Sequence, residues 1–174
     1  MPKPFNPQDK YFHKAKEQGY KARSAFKLEE IQQKFKILRS GNLVLDLGAA
    51  PGSFLQYASK MICPNGKALG LDLQEIKLNL ANVKTEICDI YDNAKIDGLI
   101  KRFSESKSPA GGTLTTLRKY DVILSDLAPK TTGRKDVDQW HSVELNRKVL
   151  AIASRYLKQG GNCLMKVFQG EDFD

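Results

Sequence analysis

The stretch VLDLGAAPGSF, residues 44–54, joins an almost wholly apolar run to a glycine turn and the opening of a helix. Around its start, NLVLDLG (42–48) is short and nearly uniformly apolar, which predicts a strand buried on both faces. Next, PGSFLQYASKMI (51–62) places apolar residues at Phe54, Leu55, Ala58, Met61 and Ile62, a helical stripe with proline in its first turn. Outward from this unit the alternation repeats. KALGLDL (67–73), VKTEICDI (83–90), YDVILSDL (120–127) and NCLMKVFQ (162–169) predict four further strands. Helical stretches are expected at about 74–80, 93–103 and 138–158, the last carrying Leu145, Val149, Ile152 and Tyr156 on one face and ending at Gly160 and Gly161. Strands alternating with helices imply right-handed crossovers, so the expected class is α/β: a doubly wound, mostly parallel sheet with helices on both faces.

Three segments stand outside this rhythm. From Asp9 to Leu38 the chain is helix-compatible, with breaks at Gly19 and Ser24; Ser24 is expected to cap a second helix reaching about Phe35. SESKSPAGGTLTTLRK (104–119) is rich in Ser, Gly and Thr and predicts a flexible excursion. APKTTGRKDVD (128–138) is polar and basic and follows the fourth strand directly, at the carboxyl edge where such sheets bind ligands.

At 174 residues and 19.5 kDa the chain has room for one domain. With 41% hydrophobic and 28% charged residues it can bury an ordinary core. No apolar run approaches the roughly 20 residues of a bilayer-spanning helix, and the N-terminus has no signal-like apolar segment, so a soluble cytoplasmic protein is expected. Three scattered cysteines, Cys63, Cys88 and Cys163, and two histidines indicate neither a disulfide framework nor a metal site. The formal net charge of +8 is concentrated at one end. Residues 1–40 hold ten Lys/Arg against four acids, a net +6, which leaves +2 for the other 134 residues. Such a block favours a polyanion through counterion release. Interleaved Tyr11, Phe12, Tyr20 and Phe26 offer surfaces for base stacking and turn the reading toward nucleic acid, RNA or DNA.

Gly48 and Gly52 let the backbone pass close to a ligand, and the amides opening the next helix suit a carboxylate or phosphate. A nicotinamide dinucleotide needs G-x-G-x-x-G, whose middle glycine admits the pyrophosphate. Here the run is Gly48, Ala49, Ala50, Pro51, Gly52, without that glycine. A ligand lacking pyrophosphate, such as S-adenosylmethionine, removes the need for it. Asp72, 20 residues after Gly52, ends the second strand where an acid can accept both ribose hydroxyls of an adenosine. Asp89 ends the third strand and can reach an adenine amino group or a nearby backbone amide. Together with Asp46 and Asp126, four successive strands end in an acid along one edge.

LDLGAAPGSF, LSDLAP and MKVFQG, with KARSAFKLEEI near the start, resemble the FtsJ-type family of S-adenosylmethionine-dependent RNA ribose 2'-O-methyltransferases, in the branch acting on large-subunit ribosomal RNA. The resemblance runs from about Tyr11 to the last residue, and its four motifs in order are specific where any one alone is weak. It implies a Rossmann-like methyltransferase fold, a single domain over residues 1–174 with 1–40 as an RNA-binding segment, and S-adenosylmethionine as cofactor. Of the family's Lys-Asp-Lys-Glu set, it assigns Lys27, Asp126 and Lys166 as catalytic residues. The cofactor contacts it implies are Gly52, Phe54 (where the family more often has Trp), Asp72, Asp89 and Asp126, beside the Asp46 and Gly48 of the turn. The family's Glu lies on a terminal antiparallel hairpin beyond the fifth strand, whereas this chain stops at GEDFD. The sheet is therefore expected without that hairpin, so that either the sequence is a fragment of a longer one or its fifth strand is an open edge prone to self-association.

Methyl transfer to a ribose hydroxyl needs alignment of oxygen, carbon and sulfur and removal of a proton. Lys166 is the expected acceptor or stabiliser, Lys27 a neighbouring cation, and Asp126 the group that orients them. RNA phosphates are expected against Lys10, Lys14, Lys21, Arg23, Lys130, Arg134 and Lys135. Rival readings are an RNA-binding module with a silent cofactor cavity, a transfer-RNA methyltransferase and, most distantly, a nicotinamide oxidoreductase.

Overall fold

The computed structural model describes residues 10–106 and 116–170. Helices α1 (Lys10–Glu17) and α2 (Ser24–Phe35) lead into β1 (Leu43–Leu47), α3 (Ser53–Ile62), β2 (Lys67–Asp72), β3 (Val83–Ile87) and α4 (Asn93–Ser104). There follow β4 (Glu105–Ser106), β5 (Thr116–Leu117), β6 (Tyr120–Ser125), α5 (Lys135–Tyr156) and β7 (Leu157–Met165). Five strands form one sheet in the order β3-β2-β1-β6-β7, every neighbouring pair parallel. The chain thus winds outward from β1 to β3, then crosses back to β6. That reversal opens a crevice at the carboxyl ends of β1 and β6.

β1 and β6 are buried along their whole length, and strand alternation divides their side chains between two cores. Leu43, Leu45 and Leu47 face Ile96, Ile100, Val149 and Ile152 of α4 and α5. Val44, Val122 and Leu124 face Leu28, Leu55, Ala58 and Ile62 of α2 and α3. Each fully buried Leu or Ile contributes about 1.5–3 kcal/mol, enough to fix the register of the central strands. At the opposite, amino end, Asp121 ties three strands together. Its carboxylate accepts Leu43 N–H and Arg118 Nη2 at 2.7 Å each, and also Lys158 Nζ. Burial alone would raise its pKa; these donors outweigh burial and hold it below the ordinary value.

Several expectations are corrected. The helix expected over 74–80 is absent. Asp72 Oδ1 accepts Gln74 N–H at 2.8 Å and turns the chain, and Ile76 and Leu78, two residues apart, pack toward Gly52 with a strand-like period. Ser24 does not cap α2. It is the first helical residue after Arg23, and its Oγ lies 2.7 Å from Ser53 Oγ instead. Gly160 and Gly161 do not end the last helix: α5 stops at Tyr156 and β7 begins at once, with the glycines in a bulge between the Tyr120–Leu157 and Val122–Asn162 pairs. Gly160 there has φ 71°, and a Cβ on Gly161 would meet Asp121 O at 2.9 Å. Phe26 offers no surface for base stacking, because it is 4% exposed beneath Tyr11, Tyr20 and Lys14. The excursion expected at 104–119 begins and ends in the antiparallel β4–β5 pair, and its middle, 107–115, lies outside the described residues. So do residues 1–9 of the basic segment and 171–174, which follow the MKVFQG motif.

Candidate active site

Parallel pairing sets Met165 against Ser125, so the residues just beyond, Lys166 and Asp126, emerge side by side over the crevice. Lys166 N–H donates to Ser125 O at 3.0 Å, and its carbonyl accepts Asn146 Nδ2 of α5 at 2.9 Å. With the backbone held on both sides, Nζ donates to Asp126 O at 2.7 Å and Asp126 Oδ1 at 2.6 Å. Both side chains are partly shielded, at 31% and 25% exposure. The segment that follows is tied to the same helix: Phe168 N–H donates to Ser142 Oγ at 3.0 Å, and Gln139 Nε2 to Gln169 O at 2.5 Å. The sequence reading missed Gln139, Ser142 and Asn146. Their 3-4 spacing on one helix face was the available signal.

Beside this pair lies a cavity of about 470 Å³, walled by Gly48, Asp72, Asp89, Asp126, apolar Leu71, Ile90, Leu127 and Leu145, and Tyr91 and Lys130. Asp72 closes the turn after β1, its Oδ2 accepting Ala50 N–H at 2.9 Å while Oδ1 holds Gln74. Asp89 is exposed at the rim, accepting Tyr91 N–H at 2.9 Å. Asp46 is fully buried at the end of β1, and neither carboxylate oxygen has a hydrogen-bond partner among the described residues. Burial, then the charges of Asp126 and Asp72, push its pKa well above the ordinary carboxylate value.

Gly48 adopts φ 74°, and a Cβ there would sit 2.4 Å from Leu127 Cδ2. Gly48→Ala therefore combines backbone strain with displacement of a cavity wall residue. At about 1–3 kcal/mol for such strain, cofactor binding is expected to weaken about tenfold, as measured by calorimetry. Gly52 has φ 105°, and a Cβ there would strike Leu78 Cδ1 at 2.6 Å. It shapes the turn but is not in the cavity wall. Phe54 is also outside the wall: it points into the core between α3 and the sheet and is 6% exposed.

Lys27 is exposed on α2, three residues after Ser24 and so on the face that the Ser24–Ser53 bond turns toward the start of α3. No hydrogen bond joins it to Lys166 or Asp126. Lys130 lies in the cavity wall; Arg134 and Lys135 are exposed where the loop enters α5. Asp138, buried in the first turn of α5, accepts Thr132 N–H at 2.7 Å and Thr132 Oγ1 at 2.9 Å and so pins that loop. Lys14 reaches over the Phe26 ring at 4.6 Å, and Lys21 N–H donates to Gln56 Oε1 at 2.7 Å, which fastens the N-terminal segment to α3. Among the described residues no cluster of His, Cys, Asp or Glu has a metal-holding arrangement, and no helix is long and apolar enough to cross a membrane.

Known proteins match this chain in sequence and in fold. The FtsJ-like methyltransferase family matches residues 20–174. The chain is similar to the protein named Ribosomal RNA large subunit methyltransferase E of Bdellovibrio bacteriovorus, with 42% identity over 169 residues, 97% of this chain and 80% of that one. The proteins of the same name from Desulfatibacillum aliphaticivorans (42% identity, 96% of this chain and 74% of that one) and Myxococcus xanthus (37%, 100% and 76%) are also similar. Among solved structures, a ribosomal RNA methyltransferase from Plasmodium falciparum superposes with a TM-score of 0.70 at 26% identity, covering 87% of this chain and 80% of that one. Fibrillarin from Aeropyrum pernix, at a TM-score of 0.50 and 18% identity over 74% and 46% of the two chains, shares the fold. With a family match over most of its length, relatives near 40% identity, and a matching fold, the chain belongs to the FtsJ-like methyltransferase family.

Proposed function

We propose that this protein transfers the methyl group of S-adenosylmethionine to a ribose 2'-hydroxyl of large-subunit ribosomal RNA. The observation that carries the reading is the Lys166–Asp126 pair, held at 2.6 Å beside an acid-lined cavity at the switch point of the sheet. The names of the similar proteins from Bdellovibrio and Myxococcus support the RNA assignment.

The residues present suit that cofactor. Asp46, Asp72 and Asp126 stand close enough for their charges to raise the Asp46 carboxyl, so a ligand that brings positive charge is favoured in the cavity that Asp72 and Asp126 line; Asp46 itself is fully buried and outside the cavity wall. Each Asp72 oxygen already accepts one backbone N–H and retains a lone pair for a ribose hydroxyl. Leu71, Ile90, Leu127 and Leu145 supply apolar surface for a flat base, with Asp89 at its rim. When bound, the cofactor supplies an activated methyl group. The chain's own residues must hold the attacking oxygen in line and take up its growing charge. An ammonium has three N–H donors; Asp126 accepts two from Lys166, and the third is left to steady the ribose oxygen while its proton passes to water and the methyl group moves from sulfur to oxygen. Asp126 orients the amine, and Asn146 fixes the backbone that carries it. Lys27 supplies a second cation from α2.

The test is transfer of labelled methyl from S-adenosylmethionine to isolated large ribosomal subunits, followed by alkaline hydrolysis. Label in an alkali-stable dinucleotide supports the reading, because a blocked 2'-oxygen prevents cleavage. Label on a base, or no transfer, overturns it.

RNA is held in this reading by Lys14, Lys21, Arg23, Lys130, Arg134 and Lys135. Replacing Lys130, Arg134 and Lys135 together with Ala is expected to reduce the slope of log K against log salt by about 2, at about 0.7 per phosphate contact on single strands. Filter binding across a salt series measures it, and cofactor affinity serves as the control for Arg134 and Lys135 replaced alone. Self-association belongs to the same proposal: β7 ends the sheet with one side unpaired among the described strands, and its residues are largely exposed. Sedimentation is expected to show mass rising with concentration, and a concentration-independent monomer would remove this point.

A further inference from the structure

We propose that the cleft between Tyr91, just beyond β3, and Trp140 on α5 is a nucleobase-binding site, which takes a nucleotide of the RNA neighbouring the methylated one. The inference rests on the RNA-methylation reading and adds the second place where the substrate is gripped.

The cleft measures about 490 Å³ and shares Tyr91, Pro129, Lys130 and Leu145 with the cofactor cavity, so one wall separates the two. Two large aromatic rings lie open to solvent at its sides: Trp140 is 61% exposed and Tyr91 51%. Exposed aromatics of this size, paired around a cleft rather than scattered, form a recognition surface. Trp140 is propped by His141, whose ring centre is 5.3 Å away at 60°. Lys148, two turns further along α5, reaches over the Tyr91 ring at 5.4 Å. Lys130 enters from the loop that Asp138 pins. Glu144 is the one acid in the wall, and Arg147 offsets it at 2.6 Å.

Flat rings flanked by cations match a base with its phosphate. Every base offers a face for stacking, and the lysines answer the backbone charge. An acidic or purely apolar partner would leave either the rings or the lysines unanswered. The position also fits a neighbour rather than the target, because the target ribose must reach Lys166 and Asp126, and neither of these lines the cleft that holds Trp140.

Trp140 is the only tryptophan of the chain, so its emission reports on its own cleft. The probe is a mixed-sequence single-stranded hexaribonucleotide, titrated into the full chain saturated with S-adenosylhomocysteine. Saturable quenching is expected. Tyr91→Leu should weaken it about fivefold or more, at about 1 kcal/mol or more per stacked base, and Tyr91→Phe should restore it. In the transfer assay Trp140→Ala should raise KM for RNA by a similar factor without altering KM for S-adenosylmethionine, and Trp140→Phe should rescue it. Absence of quenching, quenching unaffected by Tyr91→Leu, or quenching seen only without S-adenosylhomocysteine overturns the site; the last would put the base in the cofactor cavity. An unchanged KM for RNA in Trp140→Ala overturns it too and assigns the cleft to a protein partner. Quenching needs no chemistry, so quenching without transfer sinks the methylation reading and leaves the base site standing, while transfer without quenching does the reverse.

Discussion

Lys166→Met is expected to lower kcat for methyl transfer about a thousandfold, close to 4 kcal/mol of lost transition-state stabilisation. Met keeps the apolar stem and removes only the ammonium, so the loss belongs to the charge. The Lys166 backbone bonds to Ser125 and Asn146 do not depend on the side chain, and the segment should stay in place. Since Lys166 is not in the cavity wall, calorimetry should find cofactor affinity within about twofold of the wild type. Single-turnover rates with saturating RNA measure the effect, and loss confined to KM would remove Lys166 from the chemistry. Asn146→Ala separates positioning from reaction. It frees the Lys166 carbonyl from α5 while leaving the amine, and a drop of about tenfold in kcat, rescued by Gln only if the longer amide still reaches, is expected.

Asp46→Asn is expected to stabilise the ligand-free protein at pH 8 by about 1–3 kcal/mol, the range for a buried polar group without partners, since the amide carries no charge to desolvate. The sign follows from the raised folded pKa. The favourable contribution of the neutral acid is fully present below the unfolded value near 4 and is lost as pH rises through the higher folded value. The difference in Tm between variant and wild type should therefore be smallest below about pH 4 and grow as pH rises from there to the folded value. Calorimetric melts at several pH values check this; a difference independent of pH would show that folding does not raise the pKa of Asp46.

The central strands were legible from composition alone, because a run such as VLDL between β2 and β6 can only be buried on both faces, and the bulky side chains leave one register. The acids at the strand ends were legible for a related reason: Asp46, Asp72 and Asp126 interrupt apolar runs where the sheet meets its crevice. What failed was local periodicity. The stretch 74–80 was expected as a helix, but Ile76 and Leu78 within it pack with a two-residue period, since the Asp72 carboxylate captures Gln74 first. Phe26 looked like a stacking surface and proved to be core, because tertiary packing of α1 on α2 covers it and no short window of sequence contains that contact. The cleft of Tyr91 and Trp140 was invisible for the same reason: 49 residues separate two rings that only the crossover through β6 brings together.

α5 carries Trp140, Leu145 and Asn146 on a single rigid rod, and these touch the outer cleft, the cofactor cavity and the Lys166 carbonyl in turn. A helix has no joint between adjacent residues, so a tilt that tightens one of these contacts must shift the other two. Donor and acceptor should then bind with mutual assistance, each raising the affinity for the other by the same factor.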